Sequence, residues 1–195
     1  NKQENKAVTI ASEGNLKRKG YTFNGWNTQK DGSGEPYKAG DEYNTNEDLK
    51  LYAQWQVIPY TIKYDLYGGT LPAGVSNPTE YTVETETFSL SNPIKEDYVF
   101  FGWKVEGSDD STAQKDVSIE RGSIGELSFV AVWQPLLSFT HLTDSDSYSV
   151  ICNDKSVQSV VIPSTYNDKP VTTIGEKAFM QCDSLTEITI PSSVT

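Results

Sequence analysis

Two stretches of the chain alternate apolar and polar residues with a period of two. Leu49, Leu51, Ala53 and Trp55 alternate with Lys50, Tyr52 and Gln54, and Leu127, Phe129, Ala131 and Trp133 alternate with Ser128, Val130 and Val132. That period sends successive side chains to opposite faces, so each stretch is expected to be a strand buried on one side. An aromatic segment precedes each: Tyr21-Thr22-Phe23-Asn24-Gly25-Trp26 and Tyr98-Val99-Phe100-Phe101-Gly102-Trp103. The openings lie 77 residues apart and the closing strands 78, and all four tryptophans take paired positions. A small β domain has therefore been duplicated.

The pattern also predicts how each copy packs. Small Ala53 and Ala131 leave room on the inward face for a ring, expected to be Trp26 and Trp103. Strict alternation would put Phe23 and Trp26 on opposite faces. Gly25 and Gly102 are therefore expected to mark bulges that bring Phe23 with Trp26, and Phe100 with Trp103, into one core. Trp55 and Trp133 complete the expected cores.

Further strands read more briefly. Tyr60, Ile62, Tyr64 and Leu66 alternate with Thr61, Lys63 and Asp65 up to Gly68-Gly69, and another strand is expected at Tyr81-Thr82-Val83-Glu84. Ala7 to Ile10 is a short β run, Asp31-Gly32-Ser33-Gly34 a turn, and Ser111 to Lys115 a further turn. No window has helical periodicity. Beyond Leu136 the pattern changes: Val157-Gln158-Ser159-Val160-Val161-Ile162-Pro163 recurs as Leu185 to Pro191, 28 residues on.

Several of these motifs occur together in known families. Tyr64-Asp65-Leu66-Tyr67-Gly68-Gly69, Tyr98-x-Phe100-x-Gly102-Trp103, Ile119-x-x-Gly122-Ser123-x-Gly125 and Ala131-x-Trp133 resemble the Listeria–Bacteroides repeat, related to the B repeats of internalin-type proteins. The resemblance covers about residues 7–55 and 60–133. It implies β-grasp-like modules in a bacterial surface or secreted protein. The first copy lacks the strand that ends in Gly-Gly, so its sheet is expected to be open at an edge. The run Ile174-Gly175-x-x-Ala178-Phe179-x-x-Cys182-x-x-Leu185 resembles a BspA-like leucine-rich repeat, lengthened by the insertion Tyr166 to Pro170. That resemblance implies a solenoid with Ile174, Ala178, Phe179, Cys182, Leu185, Ile188 and Ile190 inward, capped by Leu137 to Val150.

The expected fold is mainly β: two tandem β-grasp-like repeats and the start of a leucine-rich-repeat solenoid. The domains are expected at 1–56 (lacking its first part), 57–134 (complete) and 135–195 (cut short by the chain end). The chain is thus expected to be a piece of a longer polypeptide. Brief linkers with a proline, Gln56-Val57-Ile58-Pro59 and Gln134-Pro135, point to stiff spacing.

Charge narrows the function. A formal net charge of −11 argues against nucleic acid and against anionic membrane surfaces. No apolar run approaches the ~20 residues of a membrane span, and Asn1 to Lys6 is too polar for a signal peptide. His141 is the single histidine, and Cys152 and Cys182 are the two cysteines. A Cys–His nucleophile pair would need them together, whereas Cys182 reads as an inward structural residue and His141 as part of a cap strand. Asp144 and Asp146 match only the start of a calcium loop, and Asp109-Asp110, Glu84 and Glu86 read as solvated. No catalytic residue, metal site or cofactor is expected.

Eleven tyrosines suggest a recognition surface instead. Tyr37, Tyr43, Tyr52 and Phe101 are the candidates for it. The expected function is a non-catalytic extracellular protein for adhesion or protein–protein interaction, a semi-rigid stalk of repeats presenting the leucine-rich segment. The partner would be a host or neighbouring-cell surface protein or glycan, and the chain a monomer. The alternative is a carbohydrate-binding accessory region of a larger extracellular enzyme.

Overall fold

The computed structural model of the chain describes residues 6–107 and 112–195. The described residues are mainly β, and none of them is helical. The first copy holds β1 (Val8–Thr9), β2 (Tyr21–Asn27), β3 (Pro36–Tyr37), β4 (Glu42–Tyr43) and β5 (Tyr52–Val57). The second holds β6 (Tyr60–Asp65), β7 (Glu80–Tyr81), β8 (Phe88–Ser89), β9 (Tyr98–Val105), β10 (Ser118–Ile119) and β11 (Leu127–Pro135). Then follow β12 (Leu137–Leu142), β13 (Ser147–Cys152), β14 (Ser159–Val161), β15 (Thr165–Tyr166), β16 (Lys169–Ile174) and β17 (Glu187–Thr189).

The two copies share the antiparallel pairing of their opening and closing strands. In the first, a sheet of order β3-β2-β5 accompanies the small pair β1-β4; in the second, a sheet of order β7-β6-β11-β9 accompanies β10-β8. The bulges fall at the glycines. Phe23 stands opposite Trp55 and Trp26 opposite Ala53, so two residues of β2 oppose one of β5. In the second copy Phe100 faces Trp133 and Trp103 faces Ala131, and Phe101 is the residue left without a partner. Gly25 has φ 97°, and a Cβ there would lie 2.8 Å from the Tyr37 carbonyl oxygen. Gly102 has φ 154°, and a Cβ would lie 2.8 Å from the Gln114 backbone. Both the turn of the chain and the close strand exclude a side chain.

The aromatic core follows from that register. Phe23 meets Trp26 and Trp55 edge-on, and Phe100 meets Trp103 and Trp133 the same way. Trp103 is 1% exposed, whereas Phe23, Trp26, Trp55, Phe100 and Trp133 are half-buried.

The C-terminal part is built differently. β12 and β13 form an antiparallel hairpin, and β13 then pairs in parallel with β16. β14 and β17 also run parallel, with Ser159, Val160 and Val161 opposite Glu187, Ile188 and Thr189. The sequence offset of 28 is thus the stacking register of this ladder. Val150, Cys152, Val160, Ile162 and Val171 form the core, and Phe179, Cys182 and Leu185 pack half-buried against it.

Two compact units result. One comprises Asn1–Lys63, Pro78–Ser89 and Ser118–Leu127, the other Tyr64–Asn77, Leu90–Val117 and Ser128–Thr195. The boundary falls inside the second copy, and β6 contributes its first four residues to one unit and its last two to the other.

Two sequence expectations differ from the structure, and a third cannot be compared. The strand expected at Tyr81 to Glu84 is Glu80–Tyr81, because Thr82 and Thr85 close a turn: Thr82 N donates to Thr85 Oγ1 and Glu84 N to Thr82 Oγ1. Ile188 and Ile190, expected inward, are 37% and 49% exposed. β17 is paired on one side alone, by β14, so its side chains have little cover. The turn expected from Ser111 and the Asp109-Asp110 pair lie, in part or whole, outside the described residues.

Candidate interaction surfaces

Of the four aromatic candidates, Tyr37 and Tyr43 are in ring contact. Tyr37 and Tyr43 sit on β3 and β4, their rings edge-on with centroids 6.2 Å apart, and both are half-buried. Tyr52 begins β5 opposite Asn27, half-buried, with the Lys50 ammonium 5.1 Å from its ring centre. Phe101 belongs to the other unit and is 46% exposed, since the bulge gives it no cross-strand neighbour.

A larger concavity lies in the second unit. An open groove of about 880 Å³ is lined by Tyr98, Leu137, Phe139, Val161, Pro163 and Tyr166, among others. Tyr166 stacks on Phe139 at 4.1 Å and meets Tyr148 edge-on at 5.0 Å. The sequence insertion explains this. Asn167 and Asp168 both take positive φ, 49° and 63°, between β15 and β16. A two-residue hairpin loop of that kind demands such residues, and it folds Tyr166 back over Phe139. Val161 is 65% exposed, the odd member of Val160-Val161-Ile162 whose neighbours are core. Sequence reading passed over this groove. The Asn-Asp pair between Tyr166 and Lys169 and the off-phase Val161 were the available signals.

His141, Asp146 and Lys169 form a charge cluster. His141 Nε2 lies 2.9 Å from Asp146 Oδ1, and Lys169 Nζ is hydrogen-bonded to the same oxygen. The bond from Lys169, then that from His141, holds the Asp146 carboxyl below its usual range. The Sγ atoms of Cys152 and Cys182 both donate to the Asp154 carbonyl, at 3.4 and 3.6 Å. Burial pushes the Cys152 thiol up, which disfavours the thiolate needed for attack. Both cysteines are free, and the polar contacts of His141 are Asp146 and Lys169, not a sulfur. Among the described residues no three His, Cys, Asp or Glu side chains are placed to share a metal ion. No described helix is long and apolar enough to cross a membrane. Glu84 accepts a bond from the Tyr21 hydroxyl, and Glu86 pairs with Arg121.

Known proteins bear on what these surfaces belong to. The chain is 39% identical over 98 residues to a protein of Evansella cellulosilytica named "Putative Gly-rich membrane protein", covering 49% of this chain and 11% of that protein. It is 55% identical over 49 residues to another from the same organism, named "Putative membrane protein", covering 25% of this chain and 7% of that one. The chain thus spans about a tenth or less of the length of these relatives. No solved structure matches it. The model of the Listeria-Bacteroides repeat domain matches residues 1–54 and 60–127, more than half of the chain. These two matches coincide with the two copies of the bulged, tryptophan-lined sheet, and the chain belongs to the Listeria-Bacteroides repeat domain family.

Proposed function

We propose that the chain is a non-catalytic segment of a bacterial surface-associated or secreted protein, in which β repeats carry a leucine-rich-repeat segment that binds another protein. The repeats end near residues 56 and 134, and the binding segment follows them. One observation carries the reading: the parallel β14–β17 ladder, stacked with the 28-residue offset of the sequence. Contacts at the same offset reinforce it, since Thr186 Oγ1 donates to the Gln158 carbonyl and Cys182 Sγ to that of Asp154. Stacked coils that bury a shared core while leaving one face free are how leucine-rich repeats present binding surfaces. The grasp-like reading of the second copy draws on its first and last strands, β6 and β11, being neighbours inside the sheet. The relatives' names, both of membrane proteins, support a surface location.

The groove of Leu137, Phe139, Val161 and Tyr166 is the proposed contact face. Labelled chain should bind intact bacterial or host cells, and protease treatment of those cells should abolish the binding. Val161→Asp should weaken it about tenfold, as expected for a charge placed in an apolar contact. Binding that survives protease and is lost on periodate oxidation would replace the protein partner with a glycan and favour a carbohydrate-binding accessory role.

A further inference from the structure

The two thiols of the chain converge on one oxygen. Cys152 closes β13 and is 3% exposed, and Cys182 lies between β16 and β17. Their Sγ atoms donate to the Asp154 carbonyl at 3.4 and 3.6 Å. A carbonyl oxygen has two lone pairs and takes both weak donors. The backbone fixes all three residues. Cys152 N donates to the Ala178 carbonyl at 3.1 Å, and Cys182 N to that of Phe179 at 3.2 Å. Asp154 is held by its own turn, its Oδ1 accepting from Ser156 N at 2.9 Å and from Ser156 Oγ at 2.7 Å.

Both side chains belong to one apolar cluster, Cys152 in its core and Cys182 packed against it. The two thiols also act on each other: after burial, the nearness of Cys182 helps to push the Cys152 thiol up. Neighbouring strands of a ladder lie about 4.8 Å apart. That falls within the Cα separation of about 4.4–6.8 Å that a disulfide spans without moving the backbone. The chain holds no third cysteine to compete for either sulfur.

We propose that Cys152 and Cys182 are an oxidation site that takes a low-molecular-weight disulfide as its oxidant and closes into a bridge. One thiol loses its proton and attacks the small disulfide, forming a mixed disulfide and expelling a small thiolate that is protonated. The other thiol loses its proton and attacks the protein-side sulfur of that mixed disulfide, expelling the second small thiolate, which is protonated in turn. The chain has given up two electrons and two protons, and the oxidant has become two thiols. The bridge fastens the end of β13 to the segment beyond β16 and so braces the parallel pairing of those two strands. The site is separate from the groove proposed for cell binding and does not rest on that reading.

The whole chain, incubated with oxidised glutathione at mildly alkaline pH and then alkylated in denaturant, tests the proposal by mass spectrometry. The expected product carries neither glutathione nor an alkyl group, has lost two hydrogens, and yields one pair of peptides joined through Cys152 and Cys182. The ratio of bridge to mixed disulfide should be at least about tenfold higher than for chain unfolded in urea, because the fold holds the thiols together. Hydrogen exchange in residues 147–152 and 169–174 should slow at least about tenfold once the bridge has formed, in keeping with the usual effect of such a cross-link. Cys182→Ser should form no bridge, and the oxidant should leave its exchange unchanged. The parent chain with and without oxidant is compared in the same way, so the test does not depend on that variant folding. Four results would overturn the proposal: cysteines that stay alkylatable or keep glutathione, a bridge between two chains, bridging no better in the folded chain than in urea, or a bridge that leaves exchange unaltered.

Discussion

The two repeat copies carry the same row of rings in different states of burial. Centroid separations along Phe23–Trp26 and Phe23–Trp55 are 5.3 and 5.8 Å, and along Phe100–Trp103 and Phe100–Trp133 they are 5.3 and 5.5 Å. Yet Trp103 is 1% exposed and Trp26 is half-buried. Ring geometry therefore comes from the local bulge and the facing strand, which both copies have. Full burial comes from Tyr64, delivered by a strand that starts more than thirty residues before the bulge. The geometry of the rings and their cover thus have separate origins, one in the bulge and the other in a strand distant in sequence.

The largest effect expected is at the ring that differs most. Trp103→Ala should cost about 3–5 kcal/mol, the range for emptying a fully packed aromatic site. Trp26→Ala should cost about half as much, because less apolar area returns to water. Urea unfolding, with hydrogen exchange reporting each sheet separately, reads the two losses. Equal losses would break the comparison.

Tyr64→Ala should make the second copy resemble the first. Its loss is expected at about 2–4 kcal/mol for a half-buried ring packed on two others, with Trp103 emission shifting to the red. Burial pushes the Tyr64 phenol up to about 12. Because the folded value lies above the unfolded one near 10, the stability tied to it is whole below about pH 10 and is lost as pH rises from there toward 12. Ultraviolet titration should therefore show a late-ionising component that Tyr64→Phe removes.

A smaller effect runs the other way, touching the first copy alone. Asn27 is 3% exposed, and its Oδ1 accepts from Gln29 N at 2.8 Å and Gly34 N at 3.0 Å. Its Nδ2 donates to the Gly32 and Gly34 carbonyls at 3.1 and 3.0 Å. Asn27→Ala should cost about 1–3 kcal/mol, as expected when buried partners are orphaned. Exchange should quicken in residues 28–35. The second copy has Lys104 at this position and should be unaffected.

What the sequence disclosed follows the same division between local and distant causes. The glycine bulges, the Trp–Ala facing pairs and the 28-residue register were legible because period and offset express them directly. Tyr81 to Glu84 misled because threonine side chains closed a turn where β-branched residues suggested a strand. The apolar groove beside Tyr166 was hidden because a hairpin loop, not a periodic element, assembles it. Tyr37, Tyr43, Tyr52 and Phe101 were chosen for residue type alone. Type says nothing about which rings share a face, and the structure puts the first two in contact. The exposure of Ile188 and Ile190 is likewise a matter of neighbours: their pattern is a core pattern, and pairing decides whether the core is covered.

The smallest effect expected concerns what ties β6 to the start of β11. Glu126 accepts from the Thr61 backbone N–H at 2.6 Å and from the Thr61 hydroxyl. The hydroxyl bond, then the backbone bond, lowers the Glu126 pKa below its ordinary value. A depressed carboxyl contributes stability above its unfolded pKa, and that contribution fades as pH falls through the folded value. The group is fully exposed, so solvent and salt screen it and the shift in unfolding midpoint should be slight. Glu126→Gln should lower the midpoint at neutral pH, and the difference from the parent should close in acid below the ordinary glutamate range. The first copy has no described counterpart of Thr61, so exchange in residues 52–57 should not register the change. If those residues loosened along with 60–65, the ends of the two closing strands would be coupled, and the independence on which the comparison rests would be lost.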